Sequence, residues 1–360
     1  MTPGHKPHEY PMQCKEGAKP TQCCRSCLRL GYHAPMTAFI GIVAGIALLI
    51  AGGAMLVRGA AEIADAFGIS PMVVGLTIVG FGTSSPELVV NILGALSGET
   101  GLAFGNVVGS NISNLALVLG AAALMRPIAL QGDVVRREVP LLLLATTMMT
   151  VMALDSSLEG ESSVIGRIDS VILMLMFCIF IYITVQDVRR LRQKDRLLTD
   201  INETPVLLMA EKGRLRWLLV IAGIVALFFG GEMTVRNAVG LADQLGVSTT
   251  VVGLFVVAVG TSMPELATSM VAAARRESDL ALGNIIGSNI FNSLVVLPVS
   301  GVVAHIPVPS GGIADLLFSW LLAALLIPIF VFANATLGRP AGALLVCTYV
   351  VYAILRIWLT

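Results

Sequence analysis

Two copies of one short motif combine residue types that could bind a cation. Gly-Thr-Ser-Ser-Pro-Glu occupies positions 82–87, and Gly-Thr-Ser-Met-Pro-Glu occupies positions 260–265. Each copy offers hydroxyl groups and one carboxylate. Its proline lacks an N–H, so the carbonyl four residues earlier loses its helical partner. Oxygen atoms of these kinds are the ligands that hard cations such as Ca²⁺ prefer. The motif therefore predicts a cation site built around an interrupted helix.

A second repeated motif follows each copy of the first. Its sequence is Gly-Asn-Val-Val-Gly-Ser-Asn-Ile-Ser-Asn at 105–114 and Gly-Asn-Ile-Ile-Gly-Ser-Asn-Ile-Phe-Asn at 283–292. The Asn-x₃-Ser-x₃-Asn spacing places polar side chains along one helix face, and each Gly-x₃-Gly pair allows another backbone to approach closely. Four asparagines of the two copies could either contact an ion or form hydrogen bonds between helices: Asn106, Asn111, Asn284 and Asn289.

The two pairs of motifs belong to one internal repeat with an offset of 178 residues. Between positions 82 and 114, 17 of 33 residues are identical to their counterparts, without a gap. Agreement of this extent at a fixed period indicates a duplication.

The composition indicates a membrane protein. Of 360 residues, 56% are hydrophobic and 13% are charged, and the mean hydropathy is +0.86. A soluble domain carries about 25% charged residues. This chain has roughly half of that, which argues against a soluble globular domain. The formal net charge of zero gives no basic surplus for nucleic acid. The bilayer is the partner that this composition predicts.

Ten segments are apolar enough and long enough to cross about 30 Å of hydrocarbon. The predicted spans are 37–57, 71–97, 102–123, 138–154, 164–186, 215–235, 249–274, 280–303, 314–334 and 340–358. The fourth is the weakest because it is short and begins beside charged residues.

The repeat offset corresponds to five predicted spans. Because five is odd, the two copies enter the membrane from opposite sides, as in many secondary transporters. The sequence thus predicts an all-α membrane protein of about ten transmembrane helices, in two inverted five-helix repeats with broken helices at the midplane. The repeats would comprise residues 36–186 and 215–360, joined by a charged linker, 187–214.

The distribution of lysine and arginine predicts the orientation. Counted from Arg58 onward, alternate connections carry 15 basic residues on one side of the membrane and 3 on the other. The heavier side, with the 187–214 loop, is predicted to be cytoplasmic and both termini to be outside. The expected location is the plasma (inner) membrane.

Residues 1–35 differ from the rest of the chain, since they hold four of the six cysteines and three of the four histidines. One interpretation is a mis-assigned start, with Met36 as the true one. The other is a genuine Cys/His-containing extension. Its cysteine spacing fits no zinc pattern well, and disulfides would be favoured over a metal if the segment is exported.

Glu87 and Glu265 require a reason to be inside the membrane. A charge at the bilayer centre costs about 2.5–3.5 kcal/mol even on the lenient scale. Because the two glutamates occupy equivalent repeat positions, a pseudo-twofold axis would bring them together. Two carboxylates balance one divalent ion, and no histidine or cysteine lies in these motifs to favour zinc or copper.

The paired motifs resemble those of the calcium/cation antiporter superfamily, and most closely its prokaryotic sodium/calcium exchanger branch. The resemblance extends from about residue 36 to the end of the chain. It implies that Glu87 and Glu265 bind Ca²⁺ and Na⁺ alternately, and that Thr83 and Thr261 offer backbone carbonyls to Ca²⁺. It also implies that four serines help to form flanking Na⁺ sites: Ser84, Ser110, Ser262 and Ser288.

The same resemblance implies that Asn114 and Asn292 complete the centre. Some relatives carry an aspartate at one of these positions. Here both are asparagine, so two carboxylates supply the ionisable charge. The central linker has no room for the calcium-sensing domains of larger animal relatives.

We therefore expect a secondary-active antiporter that exchanges Ca²⁺ for Na⁺ by alternating access. Exchange of Ca²⁺ for H⁺, K⁺-dependent exchange and a cation channel are the alternatives. An intramembrane enzyme is not expected, because Ser84 and Ser262 lack a histidine or lysine in their motifs. No cofactor and no obligate protein partner are predicted.

Overall fold

The computed structural model of the protein describes residues 20–98, 100–129, 133–158, 163–196, 206–244, 258–332 and 336–359. Within these ranges, seven helices are long and apolar enough to cross a membrane. An eighth span is present if a pair of helices bent by 42° is counted as one. The fold is helical and the protein is an integral membrane protein.

The described helices follow the apolar segments of the sequence. They are α1 (Pro20–Phe67), α2 (Pro71–Thr83), α3 (Ser85–Leu96), α4 (Thr100–Met125), α5 (Asp133–Leu158), α6 (Arg167–Arg196), α7 (Val206–Gln244), α8 (Ala258–Thr261), α9 (Met263–Ala274), α10 (Ser278–Val303), α11 (Gly312–Phe332) and α12 (Arg339–Leu359).

Eight predicted spans coincide with these helices, including the weak fourth span, which lies within α5. The predicted span 249–274 lies partly outside the described residues, and its described part is α8 and α9. The predicted span 314–334 corresponds to α11, whose apolar part, Gly312–Pro328, has fewer than 18 residues. The total of ten spans and their inverted arrangement stay predictions.

Helices α4 and α10 form the centre of the protein. In their most apolar windows 78% and 83% of the residues are buried inside the protein, against 22% for both α6 and α12. The central helices contain the two Gly-Asn motifs, whose small and polar residues are poorly suited to face lipid. Their polar side chains are therefore enclosed by other helices, where hydrogen bonds can form.

Close packing of α10 against α2 depends on glycine. A Cβ atom at Gly287 would lie 2.3 Å from the carbonyl oxygen of Leu76, and one at Gly283 would lie 2.5 Å from that of Met72. The predicted close approach is confirmed for this copy of the motif. For the first copy it is not seen, because no described atom lies within 4 Å of the Cβ positions of Gly105 and Gly109.

Helices α1 and α7 pack along each other through small residues. A Cβ atom at Gly45 would lie 2.9 Å from the carbonyl oxygen of Gly230, and one at Gly230 would lie 3.0 Å from that of Gly45. A separate apolar cluster joins this pair to the rest of the protein. Its buried members include Leu56 of α1, Val220 of α7 and Ala272 of α9.

Two short antiparallel ladders connect the halves of the chain. Strand β1 (Ile128–Ala129) pairs with β4 (Thr336–Leu337), and β2 (Val164–Ile165) pairs with β3 (Ile306–Pro307). Each ladder joins a loop of the first half to a loop of the second half. We refer to them as the β1–β4 clip and the β2–β3 clip.

The predicted linker and N-terminal segment are only partly described. Helix α6 continues to Arg196 and α7 begins at Val206, so the described parts of 187–214 are helical extensions of both neighbours. Helix α1 begins at Pro20, within the predicted extension. The proposed Cys/His site of that extension lies outside the residues whose side chains are described.

Candidate functional site

Each Gly-Thr-Ser motif interrupts a helix at its serine. Ser84 separates α2 from α3 with φ −87° and ψ 6°, and Ser262 separates α8 from α9 with φ −85° and ψ 6°. The proline that follows occupies the first turn of the new helix, where a missing N–H removes no helical hydrogen bond. Glu87 and Glu265 therefore lie in first turns, at the helix end that favours negative charge.

Hydroxyl groups from both halves surround Glu265. Ser84 donates a hydrogen bond to Glu265 Oε1 at 2.9 Å, and Ser288 donates to the same oxygen at 3.5 Å. The Ser288 hydroxyl also lies 3.2 Å from the carbonyl oxygen of Gly80 and 3.3 Å from Thr83 Oγ1. The interruption in the first half thus contacts the carboxylate of the second half directly.

Glu87 has a different environment from Glu265. Both side chains are completely buried, yet no described residue forms a hydrogen bond with either carboxylate oxygen of Glu87 or with Glu265 Oε2. The carboxylates of Glu87 and Glu265 belong to the two helices that begin at the interruptions, α3 and α9. Within the described ranges neither forms an ion pair with lysine or arginine. Since unpaired buried charge costs several kcal/mol, this arrangement favours a bound cation or protons.

The remaining predicted residues line the same helix interruptions and the central helices. Ser110 Oγ of α4 lies 3.4 Å from Thr261 Oγ1 at the end of α8, and Thr261 is the one predicted residue that is only partly buried. The hydroxyl of Ser262 and the amides of Asn114 and Asn292 are buried, and no hydrogen-bond partner for them occurs in the part of the chain that the structure describes. Such groups are costly to bury unless water or an ion binds to them.

The atoms at these positions that could bind a cation are all oxygens. No group of three or more histidine, cysteine, aspartate or glutamate side chains that could hold a metal occurs among the described residues. The site offers two carboxylates together with hydroxyl, amide and carbonyl oxygens. This donor set suits Ca²⁺ and Na⁺ better than a transition metal.

One of the two freed carbonyls has a side-chain partner in the structure. The carbonyl of Gly82, which loses its helical partner at Pro86, accepts a hydrogen bond from the Ser85 hydroxyl at 2.7 Å. This bond uses one of the two lone pairs of the carbonyl oxygen, and the other can still accept an ion or a hydrogen bond. The second half has Met263 at the position of Ser85, and a thioether cannot supply this hydrogen bond.

Asn91 and Ser269 connect the helices that carry Glu87 and Glu265 to the central helices, and neither residue was predicted. Asn106 Nδ2 donates to Asn91 Oδ1 at 2.7 Å, and Asn284 Nδ2 donates to Ser269 Oγ at 2.9 Å. Asn91 and Ser269 each follow a motif glutamate by four residues, so each lies on the same helix face as that glutamate. This spacing is the signal that could have revealed them.

Hydrogen bonds between helices account for three of the four asparagines whose role was open. Besides Asn106 and Asn284, Asn111 of α4 donates to Ser293 of α10 at 2.9 Å. Asn289 instead donates to the carbonyl of its own helix four residues earlier, at 2.7 Å. The three interhelical bonds thus join α4 to α3, α10 to α9, and α4 to α10.

The chain is similar to known transporters over most of its length. The family described as "Sodium/calcium exchanger protein" matches residues 37–186 and 215–358. The inner membrane protein YrbG of Escherichia coli is 33% identical over 328 residues, which are 89% of this chain and 96% of that protein. The sodium/calcium exchanger MaX1 of Methanosarcina acetivorans is 27% identical over 347 residues, covering 89% of this chain and 99% of MaX1.

The fold is similar to a solved exchanger. A structure of the sodium-calcium exchanger NCX_Mj, soaked with 10 mM Na⁺ and zero Ca²⁺, superposes with a TM-score of 0.74 at 28% sequence identity. The alignment covers 88% of this chain and 98% of that one. Sequence and fold therefore agree on the same class of membrane transporter.

Proposed function

The chain belongs to the sodium/calcium exchanger protein family, and from this premise we propose that it is a secondary-active antiporter that exchanges Ca²⁺ for Na⁺ by alternating access. One observation carries the proposal: two completely buried glutamates from equivalent repeat positions lie among oxygen donors, with no lysine or arginine paired to them in the described ranges. A buried site of this charge needs cations as its cargo.

The proposed ion ligands follow the two motif copies. Glu87 and Glu265 bind either Ca²⁺ or Na⁺, while the backbone carbonyls of Thr83 and Thr261 bind Ca²⁺. The flanking Na⁺ sites use four hydroxyl groups, and two asparagines complete the centre: Ser84, Ser110, Ser262, Ser288, Asn114 and Asn292. No resident cofactor takes part.

Competition for the same carboxylates couples the two ions. One Ca²⁺ neutralises both glutamates, and Na⁺ ions can replace it only after it has left. If three Na⁺ exchange for one Ca²⁺, one net charge crosses the membrane in each cycle. That charge is worth about 2.3 kcal/mol per 100 mV, so inward Na⁺ flow would drive Ca²⁺ outward.

The proposed architecture consists of two inverted five-helix repeats, 36–186 and 215–360, around a site at the midplane. Helices α1 and α7 contact each other closely through glycine, and as a pair they would move relative to the helices that carry the ligands. Both termini would be outside, and the 187–214 linker would be in the cytoplasm. The membrane would be the plasma (inner) membrane, and no protein partner is required.

Uptake of ⁴⁵Ca²⁺ into proteoliposomes tests this function. Vesicles are loaded in turn with Na⁺, with K⁺ or with protons, and each cation is then diluted outside. We expect uptake only with the outward Na⁺ gradient, with a rate that depends on a valinomycin-set membrane potential. Flux that needs no counter-ion would instead indicate a channel.

Exchange of Ca²⁺ for H⁺ is the second candidate, and one observation favours it. The Glu87 carboxylate is buried and no described residue donates a hydrogen bond to it, so a proton can neutralise this buried charge as well as a metal cation can. Uptake that follows the pH gradient and ignores Na⁺ would establish this alternative and would refute Na⁺ coupling.

A further inference from the structure

The side chain of Asn284 lies where the two halves of the protein meet, and it is completely buried. Its Nδ2 donates to Ser269 Oγ at 2.9 Å and is 3.4 Å from the backbone carbonyl oxygen of Glu265. Its Oδ1 accepts a hydrogen bond from the Thr83 hydroxyl at 3.0 Å. Because a backbone carbonyl can only accept, Nδ2 must face α9, and Oδ1 therefore faces Thr83.

These hydrogen bonds join three elements across the site. Asn284 belongs to α10, Ser269 and Glu265 belong to α9, and Thr83 is the last residue of α2, immediately before the interruption at Ser84. Asn284 is therefore bonded both to the Thr83 side chain and to the helix that carries Glu265. The Thr83 hydroxyl also lies 3.3 Å from the Gly80 carbonyl oxygen and 3.3 Å from Ser288 Oγ, so the contact with Asn284 is the shortest of three. A side chain of the second half is therefore hydrogen-bonded to the residue whose backbone carbonyl is a proposed Ca²⁺ ligand.

The corresponding asparagine of the first half has different partners. Asn106 donates to Asn91 of α3, which belongs to the same half, and Asn91 in turn donates to the carbonyl of Ala103. The residue equivalent to Asn91 in the second half is Ser269. Its shorter side chain accepts the hydrogen bond that Asn284 donates. The two halves therefore fix their glutamate helices by different means.

We propose that Asn284 is a positioning residue for Ca²⁺ binding, which acts by holding Thr83 rather than by touching the ion. The inference rests on the proposed function, in which the Thr83 backbone carbonyl is a Ca²⁺ ligand. Hydrogen-bond partners that orient metal ligands change metal affinity by about 10–100-fold when they are removed. An effect of that size on Ca²⁺, and a smaller one on Na⁺, is expected for Asn284.

Equilibrium binding of ⁴⁵Ca²⁺ to the purified full-length protein tests the proposal without requiring transport. The proteins compared are the wild type, Thr83→Val, Asn284→Ala and the double variant. Thr83→Val removes the hydroxyl but keeps the backbone carbonyl and the side-chain shape. We expect each single variant to bind Ca²⁺ about 10-fold more weakly or worse, and the double variant to bind no more weakly than the weaker single variant.

Independent effects that multiply in the double variant would overturn the proposal, as would an unchanged Ca²⁺ affinity in either single variant. Ser269→Ala is the second route if Asn284→Ala does not fold. It removes an acceptor of Asn284, so Ca²⁺ binding should again weaken, and wild-type affinity in this variant would overturn the proposal too.

The matched control is Ser300→Ala, also on α10. Ser300 is buried and donates to the carbonyl of Val296 in its own helix at 3.2 Å, so its loss should leave Ca²⁺ affinity unchanged. The proposed function has a separate readout, the dependence of uptake on Na⁺. Loss of Na⁺ coupling with intact Ca²⁺ binding would refute only the function, whereas a wild type that binds no Ca²⁺ would refute both.

Discussion

The hydroxyl of Ser84, in the first half of the chain, donates a hydrogen bond to the carboxylate of Glu265, in the second half, at 2.9 Å. The equivalent pair in the repeat is Ser262 and Glu87, and neither of these side chains has a hydrogen-bond partner within the described ranges. The sequence is symmetric at these four positions, but the structure is not. The Glu265 carboxylate accepts a hydrogen bond from a hydroxyl of the opposite half, whereas the Glu87 carboxylate accepts none from a described residue.

We predict that Ser84→Ala raises the Na⁺ concentration needed for half-maximal Ca²⁺ exchange. The Ser84 hydroxyl is a proposed Na⁺ ligand, and the loss of about 1.4 kcal/mol of binding free energy lowers affinity tenfold, so the increase should be about 10-fold or more. The measurement is Ca²⁺ uptake as a function of the Na⁺ gradient. Ser85→Ala is the matched control, since its hydroxyl donates to the Gly82 carbonyl within the same turn. An equal increase in both variants would contradict the assignment.

Replacing either motif glutamate by glutamine should abolish Ca²⁺ transport. Glu87→Gln and Glu265→Gln remove one of the two negative charges that balance Ca²⁺ and leave a neutral amide of nearly the same shape. The control is Glu62→Gln, because Glu62 forms an exposed ion pair with Arg58 at 2.9 Å and exposed pairs contribute about 1 kcal/mol or less. Full ⁴⁵Ca²⁺ uptake by either motif variant would exclude that glutamate from the site.

Gly287→Ala should destabilise the protein. The added methyl group would lie 2.3 Å from the carbonyl oxygen of Leu76 and 2.7 Å from its carbonyl carbon, and backbone atoms cannot rotate away. Overpacking of this kind costs about 1–3 kcal/mol, so the unfolding midpoint in detergent should fall. Gly213→Ala is the control, because no described atom lies within 4 Å of its Cβ position. Equal midpoints for both variants would contradict the close packing of α10 against α2.

The repeat explains how much of the site the sequence could predict. Both interruptions, at Ser84 and Ser262, were predictable because proline removes a specific helical hydrogen bond. Burial of the two glutamates followed from the cost of charge in a membrane. These inferences need only local chemistry and the 178-residue offset.

Other features depend on differences between the halves, which a repeat analysis overlooks. The Ser85 hydroxyl donates a hydrogen bond to the Gly82 carbonyl. The second half has no such bond from its equivalent residue, because that residue is Met263. The hydrogen bond from Asn284 to Ser269 differs in the same way, because the first half has Asn91 at the position equivalent to Ser269. Such contacts are fixed by three-dimensional packing and not by spacing along the chain.

The clips provide a test of which parts of the protein stay fixed. Ile128 and Leu337 are opposite residues of the β1–β4 clip, and both are buried. Cα atoms of opposite residues in antiparallel strands are about 4.5–5.5 Å apart, a distance that suits a disulfide. We predict that oxidation of Ile128→Cys with Leu337→Cys, in a variant without the native cysteines, leaves Ca²⁺ uptake intact. Uptake that is lost on oxidation and restored by a reductant would show that the clip opens during transport.

The two helices that follow the interruptions are covered to different extents. In α9, Thr268 is 1% exposed, and a Cβ atom on Gly53 of α1 would lie 3.5 Å from its Cα. In α3 the equivalent residue is Val90, which is 37% exposed, and Leu93 one turn later is 58% exposed. Helix α1 therefore covers α9 at this point, whereas the repeat-related surface of α3 is open.

If the two halves exchange roles during transport, Gly231 of α7 should contact Val90 of α3 in the alternate state, as Gly53 contacts Thr268 here. We predict that the pairs Gly53→Cys with Thr268→Cys, and Gly231→Cys with Val90→Cys, both form disulfides in a variant without the native cysteines. Each disulfide should stop ⁴⁵Ca²⁺ uptake, and a reductant should restore it.

The ion present during oxidation provides the control, because it shifts the population of the two states. Conditions that increase the yield of the Gly53–Thr268 disulfide should decrease that of the Gly231–Val90 disulfide. The first pair is close in this structure, so its formation checks the geometry, while the second pair requires the movement. If the second disulfide never forms, or if both yields rise together, α1 and α7 do not alternate between the two halves.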